Sequence, residues 1–240
     1  MTRALDRSTI AGATLFEGLD TKALDDIAHA AKTTRLVAGS TLFEQDDEAA
    51  AFYMMIVGRV KIAQTTPEGH QVVIRYIGPR DMFGAVPLFT HSAYPASAVA
   101  VVDSLAARWD SAITHQLMDR YPLLVANALK IVGLRLQELQ NRYRELATER
   151  VEQRVARAIL RLVRQSGKPV EDGVQIEFPL SRQDIAEMTG TTLHTVSRLL
   201  SSWEQSGLLD GGRMRIVLRK PRALLAIAED LRPTGVRPPE

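Results

Sequence analysis

The chain changes its hydrophobic period twice, and each change predicts a different architecture. From Arg35 onward, apolar positions come in short runs broken by turn residues. Phe52–Val57 ends at Gly58, Val60–Ala63 is followed by Pro67–Gly69, and Val72–Ile77 by Gly78–Pro79. This spacing predicts antiparallel strands closed into a barrel or stacked as a sandwich. Ala96–Leu105 reads as a further strand region closed by Ala106–Trp109, and Thr21–Ala31 as a helix before the strands. The period then lengthens. Val125, Leu129, Val132, Leu136, Leu139, Tyr143 and Leu146 follow at intervals of 4, 3, 4, 3, 4 and 3 residues. That is a heptad seam, on a rod of roughly 33 Å. Leu124, Ile131 and Leu134 form a second stripe. Two stripes on one helix predict two partners: the helix's own domain, and a second copy meeting it along Leu129, Val132, Leu136, Leu139, Tyr143 and Leu146.

After Glu149 the pattern changes again. Val151–Arg164 is amphipathic, Ser166–Asp172 reads as a polar loop and Ile176–Phe178 as a short strand. Two helices and a hairpin over Gly207–Val217, turning at Gly211–Gly212, follow. The expected organisation is α+β: an antiparallel β-barrel at 1–118, a dimerisation helix at 119–147, a winged helix-turn-helix at 148–231 and a mobile tail at 232–240.

The most informative segment is Ser181–Gly207, SRQDIAEMTGTTLHTVSRLLSSWEQSG. Ser181 is a helix N-cap with Asp184 three residues on, as in a capping box. Ala186 is small where two helices cross, and Gly190 stands where the turn needs positive φ. Thr191 or Thr192 caps the second helix, Val196, Leu199 and Leu200 face inward, and Gly207 stops it. This is a helix-turn-helix signature. Its outward candidates for DNA are Thr192, His194, Thr195, Ser197 and Arg198, because these side chains suit phosphates and base edges. Arg198 is the first candidate for specificity, since its planar fork matches guanine O6 and N7. Arg182 and Gln183 suit phosphate contact, and Arg213 sits at the tip of the wing.

Composition narrows the function. With 240 residues and 45% hydrophobic content, the chain can build ordinary cores. No apolar run is long enough to span a bilayer, and Met1–Ile10 lacks a signal-peptide core. A soluble, cytoplasmic protein without a membrane partner is expected. Cysteine is absent, which excludes disulfides, thiolate zinc sites, Cys-held iron–sulfur clusters and a Cys nucleophile. Residues through Ala147 carry 15 basic and 16 acidic side chains; those from Thr148 carry 15 and 12. The basic excess thus falls on the helix-turn-helix, where it permits nucleic-acid binding.

In this order of parts the chain resembles the CRP/FNR superfamily of bacterial transcription regulators over nearly its whole length. The carriers are Gly39, Gly58, Gly69, Gly78 and Phe83–Gly84 in the sensor, then the dimer helix and the winged helix. The resemblance implies a cupin-like antiparallel β-barrel sensor. It also implies a homodimer on double-stranded DNA, reading a near-palindrome with half-sites about 34 Å apart. RNA polymerase is an implied partner if the protein activates. The implied effector pocket contains Gly84, Ala85, Ala96, Ser97 and Ala98. Cyclic-AMP-binding members carry Glu at the position of Ala85 and Arg at that of Ala96. Cyclic AMP is therefore not the expected effector, nor is an iron–sulfur cluster. FNR-like readers carry Glu where His194 stands, so the outer half-site preference is expected to differ, while Ser197 and Arg198 keep TTG-type half-sites in play.

Tyr94–Ala98 and Gly190–Leu209 resemble the NnrR/DNR branch. That implies a response to nitric oxide, with haem implicated, and control of denitrification or nitrosative-stress genes. The candidate haem ligands are His91, then His70. Two further readings stand beside this one: a regulator with another small effector or none, and a cupin-type metalloenzyme fused to a DNA-binding domain. The enzyme reading is weak because no His-x-His, P-loop or nucleophile elbow occurs; the expected catalytic residue set is empty.

Overall fold

The computed structural model describes residues 5–85 and 92–231 and divides into two units, Met1–Gln140 and Asn141–Glu240. The expected tail at 232–240 and the candidate ligand His91 lie outside the described residues. In the first unit, α1 (Arg7–Ile10) and α2 (Thr21–Ala30) precede eight strands. These are β1 (Lys32–Leu36), β2 (Thr41–Phe43), β3 (Ala51–Val57), β4 (Val60–Thr65), β5 (Gln71–Ile77), β6 (Met82–Phe83), β7 (Ser97–Ala100) and β8 (Ser104–Asp110). Next come α3 (Ser111–Arg120) and the long α4 (Pro122–Thr148).

The strands form two antiparallel sheets, in the orders β1-β8-β3-β6 and β2-β7-β4-β5. Among the described residues no strand ladder joins one sheet to the other, so the barrel expected from the sequence is an open sandwich. The alternation along β3 explains how this arrangement is held. Ala51, Tyr53 and Met55 point into the sandwich with Val60, Ile77, Ala98 and Ala106. Phe52 and Met54 point the other way, onto a core with Ile10, Phe16, Ile27 and Trp109. Both faces are covered, so the strand reads as one continuous apolar run. Trp109 is fully buried, stacks on Phe52 at 4.8 Å and donates from Nε1 to the Ile27 carbonyl at 2.9 Å.

The single strand region expected at Ala96–Leu105 is two strands in different sheets, because the chain turns at Val101–Asp103. Val101 N–H donates to the Arg59 carbonyl, and Asp103 Oδ1 accepts from Ala38 N–H at 2.9 Å.

On α4 the inward stripe is Leu124, Asn127, Ala128 and Ile131. Asn127 Nδ2 donates to the carbonyls of Leu15 and Glu17 at 3.0 and 2.8 Å. Leu134, expected on that stripe, is 50% exposed. At 3.6 residues per turn it lies roughly 80° round the helix from Leu124.

In the second unit, α5 (Val151–Ser166), β9 (Gly167–Val170), β10 (Gly173–Ile176), α6 (Arg182–Thr189), α7 (Leu193–Gln205), β11 (Leu209–Gly212), β12 (Arg215–Leu218) and α8 (Pro221–Ala228) follow in order. The sheet order is β11-β12-β10-β9. Its core takes Ile159 and Leu162 from α5, Ile185 from α6, Val196 and Leu200 from α7 and Leu224 from α8. The segment read as a polar loop contains β9. Pro169 hides this strand from sequence reading, yet it is tolerated there because β9 is an edge. The wing turns at Arg213–Met214, not at Gly211–Gly212, which pair within the ladder. A Cβ at Gly211 would lie 1.9 Å from Glu204 Oε1, so a larger residue there would displace the Glu204 side chain.

The last turns of α4 are tied to α5 by ion pairs. Arg161 Nη1 donates to both carboxylate oxygens of Glu145 at 2.8 Å, and Arg157 pairs with Glu149 at 2.9 Å. Arg154 donates to the carbonyls of Glu149, Thr189 and Gly190, which holds the end of α6 against the same junction.

Candidate functional site

The helix-turn-helix is built by local chemistry. Ser181 Oγ accepts from Asp184 N–H at 3.0 Å while an Asp184 carboxylate oxygen accepts from Ser181 N–H at 3.1 Å, a complete capping box. Gly190 ends α6 in the left-handed region at φ 61°. Thr192 Oγ1 then accepts from Thr195 N–H at 3.2 Å and starts α7. Replacing Gly190 by Ala should cost about 1–2 kcal/mol of stability, because an L residue is strained there. The added Cβ also comes within 3.1 Å of Leu146 Cδ2. A shift of the urea midpoint at unchanged slope would measure this; an unshifted midpoint would contradict it.

Val196, Leu200 and Trp203 bury α7, with Leu199 half-buried. The opposite surface presents Thr192, His194 and Arg198 exposed and Thr195 and Ser197 half-exposed. Among the described residues no ion pair engages Arg198 or Arg213, and Arg213 stands exposed at the wing tip. Two expected phosphate contacts are placed differently. Arg182 Nη2 pairs with Glu204 Oε1 at 3.0 Å, and its Nη1 reaches the Ser197 carbonyl and Ser201 Oγ at 3.4 Å. Its guanidinium clips α6 to α7 and is partly neutralised. Gln183 is exposed, but its Nε2 donates to Glu187 Oε1 at 2.8 Å.

Sequence reasoning missed Leu193. It lies three and seven residues before Val196 and Leu200, so periodicity assigns it to the core. In its first-turn position it is 47% exposed, beside His194. Only the exposure makes it a candidate for base contact.

In the first unit a cavity of about 230 Å³ opens between the β-sandwich and α4. Of the expected effector residues, Gly84, Ala85 and Ala96 line it. Ser97 and Ala98 do not: Ser97 Oγ accepts from Gln45 N–H at 2.9 Å, and Ala98 is buried in the sandwich. Aromatic rings form one wall, with Phe43 stacked on Tyr94 at 3.8 Å. Gly84, at φ 72°, leaves room for those rings. Tyr94 is held by its hydroxyl, which donates to the Ala51 carbonyl at 2.6 Å. Burial, reinforced by neighbouring Tyr94, pushes the Tyr53 hydroxyl up to about 12. The opposite wall is Ala128, Ile131, Val132 and Arg135 of α4. Val132 therefore belongs to the cavity as well as to the heptad seam.

The remaining seam positions in this unit, Leu129, Leu136 and Leu139, are 71%, 54% and 62% exposed; in the second unit Tyr143 and Leu146 are also exposed. His70 is an exposed residue of the β4–β5 turn, where its N–H donates to Thr66 Oγ1 at 3.3 Å, and it is not part of the cavity wall. No cluster of His, Asp and Glu that could hold a metal ion occurs among the described residues.

The same two regions carry the matches to known families. A cyclic nucleotide-binding domain model matches residues 33–121, and a Crp-like helix-turn-helix domain model matches residues 153–227. The chain belongs to the CRP/FNR family of transcription regulators. This CRP/FNR regulator is 29% identical over 217 residues to the cyclic AMP receptor protein of Thermus thermophilus, covering 90% of this chain and 97% of that one. It is 26% identical to the CRP-like cAMP-activated global transcriptional regulator of Mycobacterium tuberculosis, covering 82% and 88%. The structure of FixK2 from Bradyrhizobium japonicum shares the fold, with a TM-score of 0.73 at 23% identity over 82% of this chain and 96% of that one. CRP/FNR regulators bind DNA as dimers, and the relatives are transcription regulators, not enzymes, which sets the metalloenzyme reading aside. No described helix is long and apolar enough to cross a membrane.

Proposed function

We propose that this CRP/FNR regulator works as a homodimer on a near-palindromic operator, and that the occupant of the sensor cavity sets its DNA affinity. The observation that carries this reading is the double use of α4. One side of the helix lines the cavity through Ala128, Ile131 and Val132, and the adjacent side carries the exposed seam. A ligand shifts the equilibrium only by binding one dimer arrangement better than another. A shared helix offers a direct physical route for that difference.

At the DNA, Arg198 reads guanine and Ser197 a neighbouring base, while His194 sets the outer position. Leu193 packs on a thymine methyl, the one apolar feature of the major-groove edge. Gln183 and Arg213 approach phosphates, and Thr192 and Thr195 border the recognition helix. Fluorescence anisotropy with a TTG-type palindrome tests this. Replacing the contacted thymine by deoxyuridine should weaken binding about fourfold per half-site, the worth of one buried methyl. Leu193→Ala should lose that sensitivity. Equal sensitivity in both proteins would reject the contact.

A second reading draws on the likeness of Tyr94–Ala98 and Gly190–Leu209 to the NnrR/DNR branch: the signal is nitric oxide, the group is haem and the targets are denitrification or nitrosative-stress genes. The described cavity does not suit haem. It has no histidine in its described lining, and at about 230 Å³ it is smaller than drug-sized pockets, which begin at about 300 Å³. Titrating the protein with haem, before and after nitric oxide, decides the matter. A stoichiometric Soret band that shifts with the gas favours this second reading and justifies His91→Ala and His70→Ala. The absence of a saturable band removes it.

A further inference from the structure

The cavity between the β-sandwich and α4 disagrees with the ligand that its domain family implies. A cyclic nucleotide brings a phosphate anion, a ribose hydroxyl and a base edge, each costly to bury without a partner. Among the described lining residues the polar side chains are Tyr94, Arg75 and Arg135, and each is already engaged. Tyr94 Oη donates to the Ala51 carbonyl at 2.6 Å and accepts from Ala51 N–H at 3.2 Å. Arg75 Nη2 donates to the Met82 carbonyl at 3.5 Å, and Arg135 pairs with Glu138 at 2.7 Å. An anion or a sugar would have to break these bonds to find partners. A neutral hydrocarbon leaves them intact.

The remaining wall is hydrocarbon. Phe43, Phe83 and Tyr94 present rings from the sandwich, and Ile131 and Val132 present branched chains from α4. Ala85 and Ala96 add only methyl groups, which leaves the space between the walls open. Phe43 and Tyr94 stack at 3.8 Å, and Phe43 and Phe83 are tilted with centroids 6.2 Å apart. Such a cluster offers ring faces and edges to a further ring.

Size limits the occupant. A cavity of about 230 Å³ falls between the roughly 150 Å³ that accommodates benzene and the roughly 300 Å³ at which drug-sized pockets begin. That is room for one ring with a short chain.

We propose that the cavity binds a neutral apolar molecule the size of one aromatic ring with a short alkyl chain, held by burial against Phe43, Phe83, Tyr94, Ile131 and Val132. The proposal deepens the reading of α4 as the signal-bearing helix and rests on it only for its regulatory consequence. Calorimetric titration of the full-length protein without DNA tests the binding itself. The probes are toluene, ethylbenzene and n-propylbenzene, then 3-phenylpropanoate, in which a carboxylate replaces the terminal methyl of propylbenzene, and cyclic AMP.

Propylbenzene should bind once per protomer. Affinity should rise about fourfold with each methylene added, hence about fifteenfold from toluene to propylbenzene. 3-Phenylpropanoate should bind at least tenfold more weakly than propylbenzene, and cyclic AMP should give no saturable heat. Ala96→Leu and Ile131→Phe narrow the chamber from opposite walls. Each should weaken propylbenzene at least tenfold while still melting cooperatively.

The ranking of probes on the unmodified protein stands even if both variants fail to fold. The inference is overturned if no alkylbenzene binds, if affinity ignores chain length, or if the carboxylate or cyclic AMP binds as tightly as propylbenzene. It is also overturned if propylbenzene binds both folded variants as it binds the unmodified protein. Saturable binding of propylbenzene that leaves operator affinity unchanged would sustain the site and reject the regulatory reading instead.

Discussion

Replacing Leu136 by Asp is expected to convert the dimer into a monomer and to remove specific operator binding. Leu136 is 54% exposed in the single chain, and the charge therefore costs little while the protomer is alone. In a dimer it faces the partner's seam, where each buried leucine contributes about 1.5–3 kcal/mol and an unpaired carboxylate loses its hydration. The two-fold axis applies both changes twice. Leu139→Asp should act in the same way, one heptad position further along α4. Once monomeric, the protein holds one half-site at a time. Loss of the linked second contact lowers apparent affinity by about 10²–10⁴-fold. Light scattering should give the mass of one 26.5 kDa chain, with the circular dichroism spectrum unchanged. A variant that stays dimeric would show that the seam lies elsewhere.

Arg198→Ala is expected to erase operator specificity while preserving salt-dependent binding to any duplex. The guanidinium stands exposed on α7 without an ion pair among the described residues, so its fork is available to a guanine edge. A bidentate arginine–guanine contact is worth about 1–3 kcal/mol. Two half-sites lose about 2–6 kcal/mol together, at least a ~30-fold fall in operator affinity. Nonspecific binding comes from phosphate neutralisation, and its salt slope should change little. Anisotropy titrations over a salt series, with operator and scrambled duplexes side by side, separate the two terms. Equal weakening on both duplexes would make Arg198 a phosphate contact. Arg182→Ala provides a useful contrast. Arg182 is paired with Glu204 and bonded to the α7 backbone, so its removal should loosen the placement of α7 more than it changes the salt slope.

The parts legible in the sequence are those whose physics is confined to a few neighbouring residues. The 3–4 spacing along α4 arises within one helix, and the capping box of Ser181 and Asp184 spans a single turn. The positive φ of Gly190 needs only the chain on either side. The errors occur where a distant partner decides. Leu134 fits a loosely drawn stripe, but its angular position turns it away from the sandwich. Pro169 argues against a strand until β9 proves to be an edge. The Gly211–Gly212 pair suggests a turn, whereas both glycines pair in the ladder, with Ile216 and Arg215.

By itself, then, the sequence determined the helix-turn-helix, the long seamed helix, the strand-rich sensor and the lack of any thiol chemistry. These follow from period, caps, turn residues and composition, which act locally or not at all. Only the tertiary structure decided that the sensor is two sheets rather than a closed barrel, because strand pairing joins residues far apart in the chain. It also decided that Leu193 is exposed, that Arg182 is spent on Glu204, and that Ala85 and Ala96 face an apolar chamber edged by Arg75 and Arg135. Burial and ion pairing depend on which segments meet in space, and no local pattern encodes that.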